Sequence, residues 1–271
     1  MSASGEGAPG GRAVLARGTS ADLLDAGGGR AVKLYHARGG EAALGTESRA
    51  LARAAEAGIA VPTVYGRADE GERPGLLMAW RREPTVLRHI VSRPAAAPGT
   101  LRAMARLHRQ VHSLDGAGLP AQKDAVRRTL AQAPLGTRLR RAVSETLEAL
   151  PDGTALCHGD IHLGNVLVSE SGLCILDWEK ACRGAPAGDL ARSLVLIRHG
   201  TFDGPLPRPV VAVARGWLAR RYRLAYQGAG EPLDAGELDA WIAIMAAAKL
   251  AFVPEGQAAG MRRRLEHQLL S

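Results

Sequence analysis

The first third of the chain contains short runs in which apolar and polar residues alternate, a spacing that predicts β-strands. In the run 30–36, Lys33 lies on one face of the predicted strand, whereas Val32 and Leu34 lie on the other. Three glycines at 27–29 separate this run from the preceding one and predict a hairpin turn. We therefore expect an antiparallel sheet of about five strands in this part of the chain.

A helical spacing follows the third predicted strand, over residues 41–58. Leu44, Leu51 and Ala55 fall on one stripe of this helix, and Gly58 is placed to end it. The pattern thus predicts one helix packed against the sheet.

From Pro98 onward the apolar spacing is mainly helical, interrupted once by a hairpin pattern at 157–180. The predicted helices cover residues 99–114, 123–132, 137–150, 187–200, 208–227, 234–253 and 258–270. We interpret the chain as a disordered tail (1–11), a β-rich N-lobe (12–82) and a larger, mainly helical C-lobe (83–271). A cleft between two such lobes is the expected place for a ligand.

The charge balance changes this interpretation only slightly. The 271 residues include 35 Lys and Arg against 27 Asp and Glu, so the chain is basic. No run of five like charges occurs, and four Tyr, four Trp and two Phe leave few rings to stack on bases. Nucleic-acid binding usually needs a basic stripe with interleaved aromatic residues, so this class is disfavoured.

The cysteines and the apolar runs indicate a soluble, cytoplasmic protein without a membrane partner. Cys157, Cys174 and Cys182 lie in or beside apolar runs, which fits buried, reduced thiols better than a disulfide framework. They include no C-x-x-C pair, so a zinc site is not expected. The amino-terminal residues lack the pattern of a signal peptide, and the longest apolar stretch is short and contains Lys249.

The hairpin region, CHGDIHLGNVLVSESGLCILDWEK, concentrates the residues that could perform chemistry. Gly159 and Gly164 disfavour a helix there, so His158 and His162 are not expected to face one way as metal ligands. A hairpin would bring Asp160, Asn165 and Asp177 to one end, and oxygen ligands of this kind suit Mg²⁺. Each residue taken alone is more typical of a turn that caps a strand, but their combination favours the metal-binding interpretation.

The spacing of these residues is that of a kinase catalytic loop: Asp, Asn five positions later, and a second Asp after the next strand. The motifs HGDIHLGNVL, ILDW and APAGDLA resemble the signature of the aminoglycoside phosphotransferase family, whose fold is that of protein kinases. The resemblance extends over nearly the whole chain. It implies an α+β, bilobal protein-kinase-like fold, with a small antiparallel sheet in the N-lobe and a larger, mainly helical C-lobe.

The resemblance implies a role for each residue of the catalytic set. Asp160 would accept a hydrogen bond from the substrate hydroxyl and align it for attack on the γ-phosphorus of ATP or GTP. Asn165 and Asp177 would hold Mg²⁺, while Lys33, oriented by Glu47, would reach the α- and β-phosphates. Phosphoryl transfer depends on positioning and charge neutralisation, so a carboxylate of ordinary pKa suffices.

The resemblance also implies contacts with the rest of the nucleotide. Gly18 and Ser20 belong to a segment similar to the family's glycine loop, where backbone N–H groups meet phosphate. Backbone groups of Ala79 and Arg81 would bond the edge of the adenine ring.

Two further residues, His158 and Asp189, are implied to support the catalytic loop from behind. Two positions depart from the family pattern: Leu163 stands where many members have Pro, and Ala185 replaces the first Asp of a Gly-Asp-Pro turn. No residue of the core catalytic set is missing, which disfavours a scaffold that has lost its activity.

The acceptor is expected to be a small molecule. Only eleven residues separate Asp177 from Asp189, too few for the activation segment of a protein kinase. A polycationic aminoglycoside would need an acidic pocket, and the acidic residues of the predicted pocket helices are Asp203, Glu231, Asp234, Glu237, Asp239 and Glu255. They are set against many arginines, and this mixture leans towards a neutral or less basic acceptor.

We therefore predict an Mg²⁺-dependent O-phosphotransferase that moves the γ-phosphate of ATP or GTP to a small-molecule hydroxyl, such as that of an antibiotic in a resistance role. One alternative is a metabolic kinase for a sugar, an amino alcohol or a hydroxy amino acid. Another is a nucleotide-binding regulatory module that transfers no phosphate. The sequence leaves open the acceptor, the preference between ATP and GTP, and the oligomeric state.

Overall fold

The computed structural model describes residues 11–200 and 207–270. Most of the predicted tail (1–11) and Asp203 therefore lie outside the described residues, as does the side chain of Glu255. The first strands are β1 (Val14–Arg17), β2 (Ala21–Gly27), β3 (Arg30–Tyr35), β4 (Val64–Arg67) and β5 (Gly75–Ala79). They form the predicted five-stranded antiparallel sheet, in the order β1-β2-β3-β5-β4.

The turn between β2 and β3 is made by the predicted glycines. Residues 27–29 have φ values of 72°, 58° and 72°, a region that glycine enters without the steric cost of a Cβ atom. The predicted alternation of β3 is also present, because Val32 and Leu34 are buried with Leu24 in a small apolar cluster. Lys33 lies on the opposite face and lines the cleft.

The helix α1 (Gly40–Glu56) supplies the other side of the N-terminal core. The prediction for Ala55 was wrong: this residue is exposed, and Ala54 is buried instead. The physical reason is that Glu47, although charged, belongs to the buried face of α1. The buried stripe is therefore rotated by part of a turn from the one that the apolar residues alone suggest.

The rest of the chain is mainly helical, as predicted. Its helices are α2 (Val86–Ser92), α3 (Ala97–His112), α4 (Gln122–Gln132), α5 (Thr137–Ala149), α6 (Pro186–His199), α7 (Arg208–Gln227), α8 (Ala235–Lys249) and α9 (Glu255–Leu270). Among the α-helices of the described residues, α2 alone has no counterpart in the prediction, because seven residues are too few to show a clear apolar period. The connection from β5 to α2 contains the predicted domain boundary at residues 82 and 83, and the division into two domains there stays a prediction.

Two small antiparallel sheets carry the catalytic region. Their strands are β6 (Ala155–Cys157), β7 (Val166–Ser169), β8 (Gly172–Ile175) and β9 (Cys182–Gly184). The pair β7–β8 is the predicted hairpin, and β6 pairs with β9 around it. The N–H of Ile175 donates to the carbonyl of Ala60 (3.0 Å), which ties the hairpin to the segment after α1.

A large apolar core joins the helices to the hairpin, and Trp178 and Trp241 are among its largest fully buried side chains. Cys157, Cys174 and Cys182 are buried and form no disulfide, as expected. Across residues 11–200 and 207–270, we find no helix with the length and apolar character needed to cross a membrane.

Candidate active site

The predicted site residues come together in one cleft between the five-stranded sheet and the β7–β8 hairpin. The cavity there has a volume of about 340 Å³. The predicted residues that line it are Gly18, Ser20, Lys33, Glu47, Ala79, Arg81, Asp160, Asn165 and Asp177. His158 and Asp189 do not line this cavity but are fully buried.

Lys33 is surrounded by three carboxylates. Its Nζ lies 2.7 Å from Oε2 of Glu47 and 2.5 Å from Oδ1 of Asp177. A third carboxylate oxygen, Oε2 of Glu179, is 3.2 Å away. Burial alone would lower the pKa of the Lys33 ammonium, but the three carboxylates outweigh it and hold the pKa above its usual value. Lys33 is therefore a fixed positive charge in the cleft.

Glu47 is fixed as firmly as the lysine that it holds. The hydroxyl of Tyr35 donates to its Oε2, and the N–H of Trp178 donates to its Oε1 at 3.2 Å. The hydroxyl of Ser20 donates to Oε1 of the neighbouring Glu179 at 2.5 Å. These bonds connect the predicted glycine loop, β3, α1 and the end of the hairpin in one network.

Asp177 follows β8 in an unusual backbone conformation. Its φ is 63°, and no other non-glycine residue in the described part of the chain has a positive φ. Asp is among the few residue types that enter this left-handed region with some regularity. Asn165 is also fixed, since its Nδ2 donates to the carbonyl of Asp160 at 3.1 Å and its own carbonyl accepts from the N–H of Leu176 at 2.8 Å.

The carboxylate of Asp160 is held by two cations. Lys180 Nζ is 2.7 Å from its Oδ2, and the Nη2 atom of Arg192 is 3.2 Å from its Oδ1. Burial would raise the pKa of Asp160, but Lys180 and Arg192 outweigh that effect and lower the pKa to about 2. Asp160 is therefore ionised at neutral pH.

Asp189 organises the backbone behind Asp160. Its Oδ2 accepts the N–H of His158 at 2.8 Å, and its Oδ1 accepts the N–H of Gly159 at 2.9 Å. The Nε2 atoms of His108 and His112 each lie 3.1 Å from Oδ2. Burial would raise the pKa of Asp189, but hydrogen bonds from the two histidines hold the pKa well below its usual value.

The two histidines are oriented in turn by tyrosines of α7. Because an ionised carboxylate only accepts hydrogen bonds, the Nε2 atoms donate to Asp189 and the Nδ1 atoms accept. Nδ1 of His108 lies 2.8 Å from the hydroxyl of Tyr222, and Nδ1 of His112 lies 2.6 Å from that of Tyr226. His108, His112 and Asp189 could also be grouped as metal ligands, but these bonds use both nitrogens of each ring. We interpret the cluster as a support for the catalytic loop.

His158 joins the catalytic loop to the hairpin. Its Nε2 bonds the carbonyl of Leu176 at 2.9 Å, and its Nδ1 accepts the N–H of Asp160 at 3.1 Å. Burial lowers the pKa of this imidazole to about 4, so it is neutral at pH 7. Gly159 beside it has a φ of 78°, and a Cβ there would come within 2.1 Å of the Lys180 carbonyl oxygen.

The turn at Ala185, where the family motif has Asp, is stabilised by a side chain from α4. Oε1 of Gln122 accepts the N–H of Ala185 at 3.0 Å, and its Nε2 donates to the Ala185 carbonyl at 3.4 Å. A Cβ at Gly184 or Gly188 would come within 2.5 or 2.7 Å of the same amide. The amide thus takes the space between two glycines and bonds the turn at Ala185.

Sequence reasoning missed several residues of the site. These are Glu179, Lys180, Arg192, Gln122, and the pairs His108–Tyr222 and His112–Tyr226. Only the histidine pair left a usable signal, because positions four apart on an amphipathic helix share a face. Long cationic side chains such as Lys180 and Arg192 are usually solvated, and nothing local in the sequence indicates that these two approach Asp160.

Comparison with known proteins gives a family and a fold. Residues 15–229 match the model of the phosphotransferase enzyme family, APH. A search of curated proteins finds no match.

Solved structures resemble the chain over most of its length. One is a thermostable mutant of aminoglycoside phosphotransferase APH(4)-Ia in its apo form, with a TM-score of 0.65 at 15% identity, covering 96% of this chain and 94% of that one. Another is the amicoumacin kinase hAmiN in complex with AMP-PNP, Ca²⁺ and Ami, with a TM-score of 0.65 at 13% identity, covering 97% and 89%. APH(3'')-Id from Streptomyces rimosus ATCC10970, in complex with ADP and streptomycin, has a TM-score of 0.56 at 20% identity, covering 84% and 90%. Likeness at these identities concerns the fold, and it confirms the predicted bilobal, kinase-like architecture.

Proposed function

The chain belongs to the phosphotransferase enzyme family, and on that premise we propose that it transfers the γ-phosphate of ATP or GTP to a hydroxyl of a small molecule. One observation carries the proposal: a single cleft contains a fixed cation, Lys33, and an ionised carboxylate, Asp160, together with Asn165 and Asp177. These are the parts that phosphoryl transfer needs, since it depends on positioning and on neutralising phosphate charge.

In the proposed reaction, the acceptor oxygen forms a bond to the γ-phosphorus while the bond from that phosphorus to the β–γ bridging oxygen breaks. The electron pair of the broken bond leaves with ADP or GDP, and the hydroxyl proton passes to Asp160 or to water. Asp160 first accepts the hydrogen bond of the hydroxyl and aligns its oxygen for attack. With a pKa of about 2, Asp160 is a weak base, so its main contribution is orientation.

Lys33 is the residue proposed to bind the α- and β-phosphates. Its contacts with Glu47, Asp177 and Glu179 keep it charged and hold it at the cleft surface of β3. The N–H of Gly18 donates within its own turn to the carbonyl of Ala21 at 2.9 Å. Gly18 therefore shapes the glycine loop. The phosphate contacts proposed for this loop are left to the backbone N–H groups of Thr19 and Ser20.

The adenine or guanine edge is proposed to bond the segment after β5. The N–H of Ala79 donates to the carbonyl of Thr63 at 2.8 Å, and the N–H of Trp80 donates to the carbonyl of Gly29 at 2.9 Å. Ala79 would therefore use its carbonyl oxygen to accept from the base, and Arg81 would use its N–H to donate.

The donor set at the end of the hairpin fits Mg²⁺, because it combines a carboxylate and an amide oxygen, which are hard ligands. Asn165 and Asp177 are the residues that would hold the ion. When bound, Mg²⁺ neutralises charge on the phosphate oxygens. Asp177 already contacts Lys33, so the same carboxylate would lie beside both positive charges.

The proposal is tested by a mass-spectrometric screen of the whole protein with Mg-ATP and, separately, Mg-GTP. The panel contains hydroxylated antibiotics and hydroxylated metabolites, so that the resistance role and the metabolic alternative are compared directly. We expect a product heavier by one phosphate with the wild-type protein and none above background with Asp160→Ala. Nucleotide binding, measured in parallel by titration calorimetry, should persist in the variant.

Three results would contradict the proposal. If Mg-ATP and Mg-GTP both fail to bind, the cleft is not a nucleotide site. If nucleotide binds but Asp160→Ala and the wild type give the same product yield, Asp160 does not align the acceptor. Nucleotide binding with no product from any panel member would favour the regulatory module over the enzyme.

A further inference from the structure

A second cavity adjoins the nucleotide cleft on the side of Asp160. Its volume is about 490 Å³, and it lies between α1, α4, α8 and the segment that follows the hairpin. Glu179 and Lys180 line both cavities, so the two meet at these residues. Apolar side chains, including Val126, Met245 and Phe252, form part of the wall. Asp160 lines the nucleotide cleft rather than this cavity, but Lys180 and Arg192, which line the cavity, both contact Asp160. An acceptor in the cavity could therefore place a hydroxyl next to Asp160 where the two spaces meet.

Among the residues that the structure describes, five charged side chains line this cavity, three cations and two acids. Lys180, Arg192 and Arg128 line it, together with two acids, Glu179 and Asp189. Both acids have other partners: Glu179 bonds the Ser20 hydroxyl and Lys33, while Asp189 bonds backbone N–H groups and two histidines. The two acids are therefore held by other protein groups, whereas Lys180 and Arg192 contact Asp160 through side chains that are 44% and 27% exposed.

The guanidinium of Arg192 is not fully paired within the protein. Its Nε atom is buried and has no hydrogen-bond partner among the described residues. Burial lowers the pKa of Lys249, at the end of α8, and the positive charges of Arg192, Lys180 and Arg215 add to this lowering against the attraction of Asp160.

The acids expected to bind a polycation do not line either cavity among the described residues. Asp239 pairs with Arg223 at 2.9 Å, and Asp234 caps α8 by accepting the N–H of Glu237 at 2.7 Å. Glu231 presents its backbone carbonyl to Arg109. A polycationic aminoglycoside would meet Lys180 and Arg192 there, and the carboxylate beside them, Asp160, is already paired with both. Placing further positive charge next to them is therefore costly.

We propose that the acceptor carries an anionic group, a carboxylate or a phosphate, close to the hydroxyl that receives the γ-phosphate. This inference rests on the proposed function and names its substrate class. Lys180 and Arg192 bind the anionic group, and in doing so they release one or both oxygens of Asp160. Asp160 is then open to the acceptor hydroxyl, so the charge that selects the substrate also exposes the residue that aligns it.

The test uses four three-carbon compounds that differ mainly in charge: 3-amino-1,2-propanediol, glycerol, glycerate and glycerol 3-phosphate. Each is titrated calorimetrically into the wild-type protein saturated with Mg-ADP, and each is then offered with Mg-ATP as acceptor. We expect at least one anion to bind about 10-fold more tightly than glycerol, with the amine weakest. The tighter of the two anions identifies carboxylate or phosphate as the recognised group.

The matched variants are Lys180→Met, Arg192→Met and, as a control, Arg141→Met, whose side chain is exposed and pairs with Glu145 on α5. Lys180→Met and Arg192→Met should each remove most of the preference for the anion, whereas Arg141→Met should keep it. Equal binding of glycerol and the anions, or an unchanged preference in the first two variants, overturns the inference. Transfer to a neutral or cationic acceptor, lost with Asp160→Ala, would also overturn it and would leave the proposed function standing. Loss of Mg-ADP binding in the wild-type protein would count against the proposed function instead.

Discussion

Asp160 and Asp189 lie in front of and behind the same catalytic loop, and their partners differ in kind. Asp189 is fully buried and accepts from backbone N–H groups and from two histidines, whose outer nitrogens are satisfied by tyrosines. Asp160 is bound by the ends of two long cationic side chains, Lys180 and Arg192, which are 44% and 27% exposed. The Asp189 carboxylate is therefore held by buried partners, whereas the partners of Asp160 are partly exposed and can move.

The difference suggests how one loop can be both rigid and reactive. The Asp189 carboxylate accepts the backbone N–H groups of His158 and Gly159, and the histidines and tyrosines that hold Asp189 in place come from α3 and α7. Flexible cations at the cleft keep Asp160 ionised yet can exchange it for a substrate group, because Lys and Arg side chains reorient readily at a surface. The two regions should therefore respond differently to substitution.

Asp160→Ala is expected to give the largest effect on activity relative to its effect on stability. Loss of the group that aligns the acceptor should lower kcat by about 10²- to 10⁴-fold, the usual range for such a group. Thermal stability should fall less than in a variant that lacks Asp189, because Asp160 is buried but its partners Lys180 and Arg192 are 44% and 27% exposed and can turn towards water. Steady-state kinetics and calorimetry on the same preparation check both statements. A large fall in Tm would mean that Asp160, like Asp189, is a structural carboxylate.

Asp189→Ala, unlike Asp160→Ala, should strongly lower the stability of the protein. Removal of this buried carboxylate leaves two backbone N–H groups and two imidazole N–H groups without an acceptor, which should cost about 3–5 kcal/mol of unfolding free energy. Urea denaturation at pH 7 measures the change. An Asp189→Asn variant retains one acceptor oxygen and should recover part of the loss. Wild-type stability in both variants would show that the network is not a support.

As the pH falls, protonation of His108 and His158 behind the catalytic loop should lower the unfolding free energy before Asp160 becomes protonated. Burial lowers the pKa of His108 and of His158 from 6.5 to about 4, with the neighbouring His112 adding to the shift of His108. Between these values the unfolded chain binds more protons than the folded chain, so stability falls as the pH falls from 6.5 towards 4. From pH 6.5 to pH 5, each histidine should remove about 2 kcal/mol.

Denaturation curves at several values between pH 7 and pH 5 test this expectation. In the same interval Asp160 stays ionised, because its pKa of about 2 lies far below. A stability that does not change over this range would show that the two imidazoles are already charged in the folded protein.

The smallest effect is expected from Tyr222→Phe. This change removes the hydroxyl that lies 2.8 Å from Nδ1 of His108 and leaves that buried nitrogen without its donor. The expected cost is about 1–2 kcal/mol, less than the loss of Asp189 because only one hydrogen bond is broken. Urea denaturation resolves a change of this size, and an increase in stability would contradict the proposed tautomer of His108.

The sequence predicted the fold and the residues that line the cleft, because both depend on local patterns. Alternation, helical spacing and glycine turns indicate strands and helices within a few positions, and the hairpin motif places Asp160, Asn165 and Asp177 together. The pairing of Lys33 with Glu47, fourteen positions later, came from the family resemblance and is found in the structure.

The side chains that support the catalytic loop and pair with Asp160 could not be predicted, because their contacts join distant parts of the chain. His108 and Tyr222 are 114 positions apart, and Asp160 and Arg192 are 32 positions apart. Such distances depend on how α3, α6 and α7 pack, and neither periodicity nor composition specifies that packing. The exposed position of Ala55 has a similar origin, because tertiary packing decided which face of α1 is buried.

The amide of Gln122 has a consequence for how this site could be inherited or transplanted. It fills a space between Gly184 and Gly188 that any side chain at those positions would block, and it bonds the turn at Ala185. These four positions therefore form one unit that must change together. In an alignment they should covary, with Asp at position 185 accompanied by a different residue at position 122. An engineer who grafts this catalytic loop onto another scaffold must move a residue of α4 with it.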